Sequence, residues 1–203
     1  MRPRTRRVML PGPAGRIECA IDEPEEPARG IALVAHPHPL HGGTLDNKVV
    51  QTLARALIEL GYVALRPNFR GVGASEGSHD AGRGEVDDLA AALAYAQQEF
   101  GAGKPVLAGF SFGAAMQTRL AARVAPERLL LVGLAVKRIE VGAVPVDTLV
   151  IHGERDETVP LADVLDWARP LDQPVIVVPG TDHFFHGKLN VLRGIVRSNW
   201  RLR

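Results

Sequence analysis

Six short apolar runs constrain the fold of this chain more than any other feature of its sequence. GIALVAH, YVALRPNF, PVLAGFS, RLLLVGLAV, VDTLVIHG and PVIVVPG are continuous rather than alternating. Runs of strand length with this character are buried on both faces, the situation of a parallel sheet with helices on each side. Segments of helical period separate them. Val49, Val50, Leu53, Leu57 and Leu60 recur at helical spacing after Asp46, a residue type suited to cap a helix, and stop at Gly61. Val86, Leu89, Leu93, Ala96 and Phe100 do the same before Gly101, residues 112–124 form an alanine-rich stretch ahead of Pro126, and residues 187–200 carry Leu189, Leu192, Ile195 and Val196 on one side. GRIECAID alternates Ile17, Cys19 and Ile21 with charged residues, as in a strand with one buried face. With a partner around Arg6 to Leu10, it predicts an antiparallel lead-in. The expectation is α/β: one domain over residues 1–203, a mostly parallel sheet of about eight strands, and helices on both faces.

Composition removes several classes of function. At 203 residues with 46% apolar content, the chain has enough material for a single core. A formal net charge of +1 leaves no broad electrostatic footprint for nucleic acid. Arg2, Arg4, Arg6 and Arg7 crowd the start and read as a solvated arm. PGPAG interrupts the apolar residues that follow, so no cleaved signal peptide is expected. The longest apolar run, Leu129 to Val136, is far short of the ~20 residues of a membrane span. Cys19, the single cysteine, has no partner in the chain and reads as an inert thiol in a reducing cytoplasm.

Chemistry concentrates after the strands. AGFSFGAA places Ser111 between Gly109 and Gly113, where an apolar run gives way to a helical one. That is the context of a nucleophile elbow, a turn so tight that its neighbours must lack bulk. A serine hydroxyl needs a base and a group to orient that base. IHGERDETVP offers Asp156, with Glu154 as the competing acid, and GTDHFFHG offers His183, with His186 as the competing base. His183 is preferred because it lies within the loop, whereas His186 falls near the start of the final helix. The order serine, acid, histidine is that of a serine hydrolase built on an α/β sheet. Ser75 lacks the elbow context.

AHPHPLHGG, residues 35–43, carries three histidines in six positions. As a metal site it resembles the H-x-H-x-D-H cluster of binuclear hydrolases, but Leu40 occupies the carboxylate position and further ligands would be needed. No metal is expected. PNFRGVGASEG, residues 67–77, resembles a dinucleotide fingerprint with its third glycine one residue late, and reads instead as a sharp loop in which Arg70 and Glu76 make fixed contacts.

Together, AHPHPLHGGTLDNKVV, LRPNFRGVGASEGSHDAGRGEVDDL, AGFSFGAAM, IHGERDETVP and GTDHFFHGKL resemble, in order, the small bacterial serine hydrolases of the α/β-hydrolase superfamily. The resemblance runs from about Val8 to Trp200 and implies Ser111 as nucleophile, Asp156 as acid, His183 as general base, and no cofactor. It also implies an oxyanion hole from the backbone N–H groups of Phe112 and a residue of the HPHP loop. Pro37 and Pro39 have no N–H; alignment of AHP with the HG element of related enzymes selects His38 over Leu40. His36 and His41 then become structural hydrogen-bonders or pocket walls. Relatives with a cap insert it before the strand near Val146, but only KRIEVGAVP intervenes here, so no cap domain and at most a rudimentary crossover helix are expected. Leu40, Phe110, Phe112, Phe184 and Phe185 are candidate pocket walls. The expected partner is a small carboxylic ester or, alternatively, a thioester; a non-catalytic binding protein and a homo-oligomer remain open.

Overall fold

The computed structural model describes residues 4–200. Its elements are β1 (Arg4–Gly12), β2 (Gly15–Glu23), β3 (Gly30–Ala35), α1 (Lys48–Glu59), β4 (Tyr62–Pro67), α2 (Arg83–Phe100), β5 (Val106–Phe110), α3 (Phe112–Val124), β6 (Arg128–Val132), β7 (Leu149–Gly153), α4 (Leu161–Ala168), β8 (Val175–Val178) and α5 (Leu189–Ser198). The eight strands form one sheet in the order β1-β2-β4-β3-β5-β6-β7-β8. β1 and β2 pair antiparallel, as do β2 and β4, and every later pairing is parallel.

The double-sided burial expected of the apolar runs is present. Leu33, Leu107 and Leu131 point into a core shared with α2, α3 and Val164 of α4. Their neighbours Val34, Ala108 and Val132 point to the other side, into a core shared with α1 and α5. A strand residue alternates faces with a period of two, so a run can be apolar throughout only if both faces are covered. From β3 the chain moves to β4 on one side and then to β5 on the other, so the loops leaving β3 and β5 diverge toward opposite helical layers. That reversal opens a crevice at the carboxyl ends of the strands.

Four details differ from expectation. The cap of α1 is Asn47, whose Oδ1 accepts from the Val49 and Val50 N–H groups, while Asp46 pairs with Arg7. β6 ends at Val132 because Gly133, at φ 56°, turns the chain where the apolar run continues to Val136. α4 is an eight-residue helix with no counterpart in the periodicity analysis. Arg6 and Arg7 are not part of a free arm: they lie in β1, where Arg6 pairs with Glu23 and Glu99, and Arg7 with Glu18 and Asp46. Arg2 lies outside the described residues.

The connection from β6 to β7 contains no helix, as its length requires, and among the described residues no cap covers the carboxyl edge of the sheet. Among the described residues no helix is long and apolar enough to cross a membrane.

Candidate active site

Ser111 sits between β5 and α3 with φ 56° and ψ −114°, a conformation that a residue with a side chain adopts only at a cost of about 1–3 kcal/mol. The surroundings impose it. The Ser111 N–H donates to the Val132 carbonyl at 2.9 Å, tying the turn to the end of β6. A Cβ on Gly109 would come within 2.5 Å of the Gly113 carbonyl oxygen. One on Gly113 would overlap the backbone carbonyls of Ala35 and His36 at the end of β3. Strand, turn and helix therefore close only with glycine at both positions, and α3 begins directly against the loop that leaves β3.

Asp156 and His183 come from the loops after β7 and β8. His183 Nδ1 stands 2.6 Å from Asp156 Oδ2, and both residues are buried. The other carboxylate oxygen, Oδ1, accepts the N–H groups of Thr158 at 2.9 Å and Val159 at 2.7 Å, fixing the plane of the carboxylate. The His183 ring is packed between Phe110 and Phe184, with centroids 4.8 and 5.1 Å away. The competing residues lie elsewhere. Glu154 accepts the Gly180 N–H at 2.7 Å and so staples the two loops together. His186 pairs with Asp182 on the exposed surface.

The HPHP loop makes a short 3-10 turn, Pro39–His41, before Gly42 and Gly43 lead toward α1. His36 is fully buried: its Nε2 accepts the Phe69 N–H at 3.0 Å and its Nδ1 donates to the Pro37 carbonyl at 2.7 Å. The imidazole bridges the loops after β3 and β4. Burial holds it neutral, with its pKa lowered to about 4. His38 Nδ1 accepts the Leu40 N–H at 3.2 Å, and its ring lies 4.9 Å from that of Phe112. His41 and His79 flank it, at ring separations of 4.7 and 5.0 Å. Desolvation and these two neighbouring imidazoles lower the His38 pKa. Among the described residues no three His, Cys, Asp or Glu side chains are arranged to hold a metal ion.

The remaining motif residues have structural partners. Arg70 forms a bidentate pair with Asp88 and donates to the Gly84 carbonyl. Glu76 holds the backbone N–H and guanidinium of Arg16. Ser75 donates to the Asn68 carbonyl at 2.8 Å and accepts the Glu18 N–H at 2.9 Å, so its oxygen is committed. Of the aromatic pocket candidates, Phe185 is a correction: it is fully buried in the core layer that contains α1 and α5. Phe110 is also enclosed, touching the His183 ring from beneath. Leu40 and Phe184 are exposed, at 70% and 45%.

Two residues beside His183 and Asp156 escaped the sequence reading. Gly133 presses against the histidine: a Cβ there would lie 3.1 Å from His183 Cε1 and from Phe110 Cε2. His152, at the end of β7, is fully buried and places Nε2 2.9 Å from the Val159 carbonyl and 3.4 Å from Asp156 Oδ2. Both lie inside apolar runs, where nothing in the periodicity distinguishes them from core.

Comparison with known proteins agrees with this architecture. The sequence model of the α/β hydrolase fold family matches residues 40–132. An α/β serine hydrolase without lid from Xanthomonas campestris superposes with a TM-score of 0.90 at 40% identity, over 96% of this chain and 93% of its own. An α/β serine hydrolase homologue from Coxiella burnetii gives 0.89 at 38% identity, over 97% of each chain. An uncharacterised protein of Rickettsia prowazekii is 37% identical over 198 residues, spanning 90% of this chain and 83% of that one. The chain belongs to the α/β-hydrolase superfamily, among its members that lack a cap over the sheet edge.

Proposed function

We propose that this hydrolase cleaves small carboxylic esters through an acyl-enzyme, with Ser111 as nucleophile, His183 as general base and Asp156 as the orienting acid. The observation that carries this reading is the buried 2.6 Å contact between His183 Nδ1 and Asp156 Oδ2, at the same sheet edge as a serine held in a strained turn. With Nδ1 engaged by the carboxylate, Nε2 is the nitrogen left to take the serine proton.

Ser111 Oγ attacks the ester carbonyl carbon as its proton passes to His183 Nε2. The carbonyl oxygen becomes an oxyanion and accepts the N–H of Phe112, an unpaired donor in the first turn of α3. The second donor is the His38 N–H, a choice supported by the engagement of the Leu40 N–H with His38 Nδ1. Such a donor supplies about 3 kcal/mol of transition-state stabilisation. The intermediate collapses, the C–O bond breaks, and the alcohol leaves with the proton from His183. Water then attacks the acyl-enzyme, gives its proton to His183, and releases the acid as Ser111 recovers that proton. Asp156 stabilises the imidazolium formed in each half-reaction. The uncovered edge, with Leu40 and Phe184 exposed near it, suits a small ester with an apolar group.

Labelling by a fluorophosphonate probe tests the reading. Stoichiometric modification of the wild type at position 111, unaffected by EDTA and absent from Ser111→Ala, is the expected result. Labelling that survives in the alanine variant, or a wild type inert to the probe, overturns it. A panel of p-nitrophenyl esters and acyl-CoA thioesters then separates ester from thioester cleavage.

A further inference from the structure

We infer that His152 is a positioning residue for the same site, one whose neutral imidazole fixes the turn that aims Asp156 at His183. The inference rests on the reading of Asp156 as triad acid. His152 Nε2 faces two acceptors, the Val159 carbonyl at 2.9 Å and Asp156 Oδ2 at 3.4 Å. Neither can donate a proton, so Nε2 carries the hydrogen and Nδ1 is bare. Nδ1 is buried and has no hydrogen-bond partner, so protonating it would strand a buried N–H as well as bury a charge. Burial accordingly lowers the His152 pKa, and the titratable groups facing the ring are Asp156, on the loop after β7, and His183, on the loop after β8.

The Nε2–H has a local consequence. Its main bond, to the Val159 carbonyl, closes a turn whose N–H groups at Thr158 and Val159 both donate to Asp156 Oδ1. With Oδ1 held in this way, Oδ2 is left to point at His183 Nδ1. The N–H dipole of His152 also lies beside Oδ2 and partly offsets its charge. Asp156 is thus oriented by three N–H groups outside the pair.

Glutamine in place of His152 can bring an amide N–H to the Nε2 position and cannot titrate; leucine removes the donor. The readout is the second-order rate of fluorophosphonate labelling at Ser111 across pH, with melting temperature measured alongside. His152→Leu is expected to lower the labelling rate about tenfold, the upper end of the worth of one hydrogen bond to a neutral carbonyl. His152→Gln should restore the rate. If His152→Leu loses its native near-ultraviolet dichroism, His152→Asn makes the same comparison, since its shorter side chain holds the amide away from Val159. A folded His152→Leu or His152→Asn variant with the wild-type rate overturns the inference, as does a folded His152→Gln no better than its partner variant. Failure of the wild type to label at Ser111 would instead overturn the functional reading, so the two failures are distinct.

Discussion

His186 and Asp182 make the same contact as His183 and Asp156: in each pair Nδ1 stands 2.6 Å from Oδ2. Environment separates them. The inner pair is buried beneath the loops, whereas the His186 side chain is 73% exposed and faces solvent. An exposed pair in water is worth at most about 1 kcal/mol and orients nothing. Asp156→Asn should therefore lower kcat by about 10⁴-fold. Asp182→Asn, His186→Ala and Glu154→Gln should each stay within about threefold of wild type, because a surface change of this kind has little reach. Steady-state hydrolysis of p-nitrophenyl acetate by the four variants decides the matter, and a large loss in Glu154→Gln with normal turnover in Asp156→Asn would reassign the acid.

Gly133→Ala isolates the packing of His183, the proposed base. The new Cβ would meet His183 Cε1 and Phe110 Cε2 at 3.1 Å, on a backbone of φ 56° that already disfavours any side chain. The conformational cost is about 1–2 kcal/mol. Displacement of the imidazole should lower the Ser111 labelling rate by about a hundredfold, as expected when reacting groups lose alignment. Gly187→Ala is the control, since Gly187 has φ 69° and nothing within 4 Å of the added carbon. It should show a comparable fall in melting temperature with near-normal labelling.

The buried imidazole of His36 makes stability depend on pH. Its folded pKa of about 4 lies below the ordinary 6.5, so the unfolded chain binds a proton that the native state refuses. The contribution is complete above the unfolded pKa and is lost as the pH falls from about 6.5 toward 4, by about 3 kcal/mol in all. Urea unfolding at about pH 7 and at about pH 4.5 should show this loss in the wild type, with a smaller pH dependence in His36→Gln. Equal pH dependence in the two proteins would show that the imidazole binds its proton alike in the folded and unfolded chain.

Cys19 lies fully buried in β2, and desolvation pushes its thiol up to about 12. The thiolate is the reactive species, so native protein should resist iodoacetamide. Alkylation should appear only as urea unfolds the domain, with a midpoint matching that of tryptophan fluorescence. Rapid alkylation of the native protein would place the thiol in solvent.

The sheet was legible because parallel strands covered on both faces have to be apolar at successive positions, and Val34, Ala108 and Val132 keep that pattern beside Leu33, Leu107 and Leu131. The turn around Ser111 was legible because steric exclusion leaves glycine at 109 and 113. α4 was not, since eight residues with only Val164 and Ala168 buried produce too little periodicity; Pro160 as cap and Asp163 in the first turn were the available signals. Asp46 and Asn47 are equally suited to cap α1, and the choice between them falls to Arg7, which engages Asp46 and leaves Asn47 to the helix. Neither Gly133 nor His152 carries a local signature. Each matters through a neighbour distant in sequence, and only the folded chain brings that neighbour near.

The fit of Gly113 against the carbonyls of Ala35 and His36 has a mechanical corollary. Backbone rests on backbone there, without a side chain to act as a cushion, so the beginning of α3 and the exit of β3 must shift as one rigid piece. The Ser111 oxygen and the Phe112 amide, proposed as nucleophile and oxyanion donor, belong to a single block fixed when the polypeptide folds, and whatever adaptation a guest molecule demands has to come from the solvent-facing fringe.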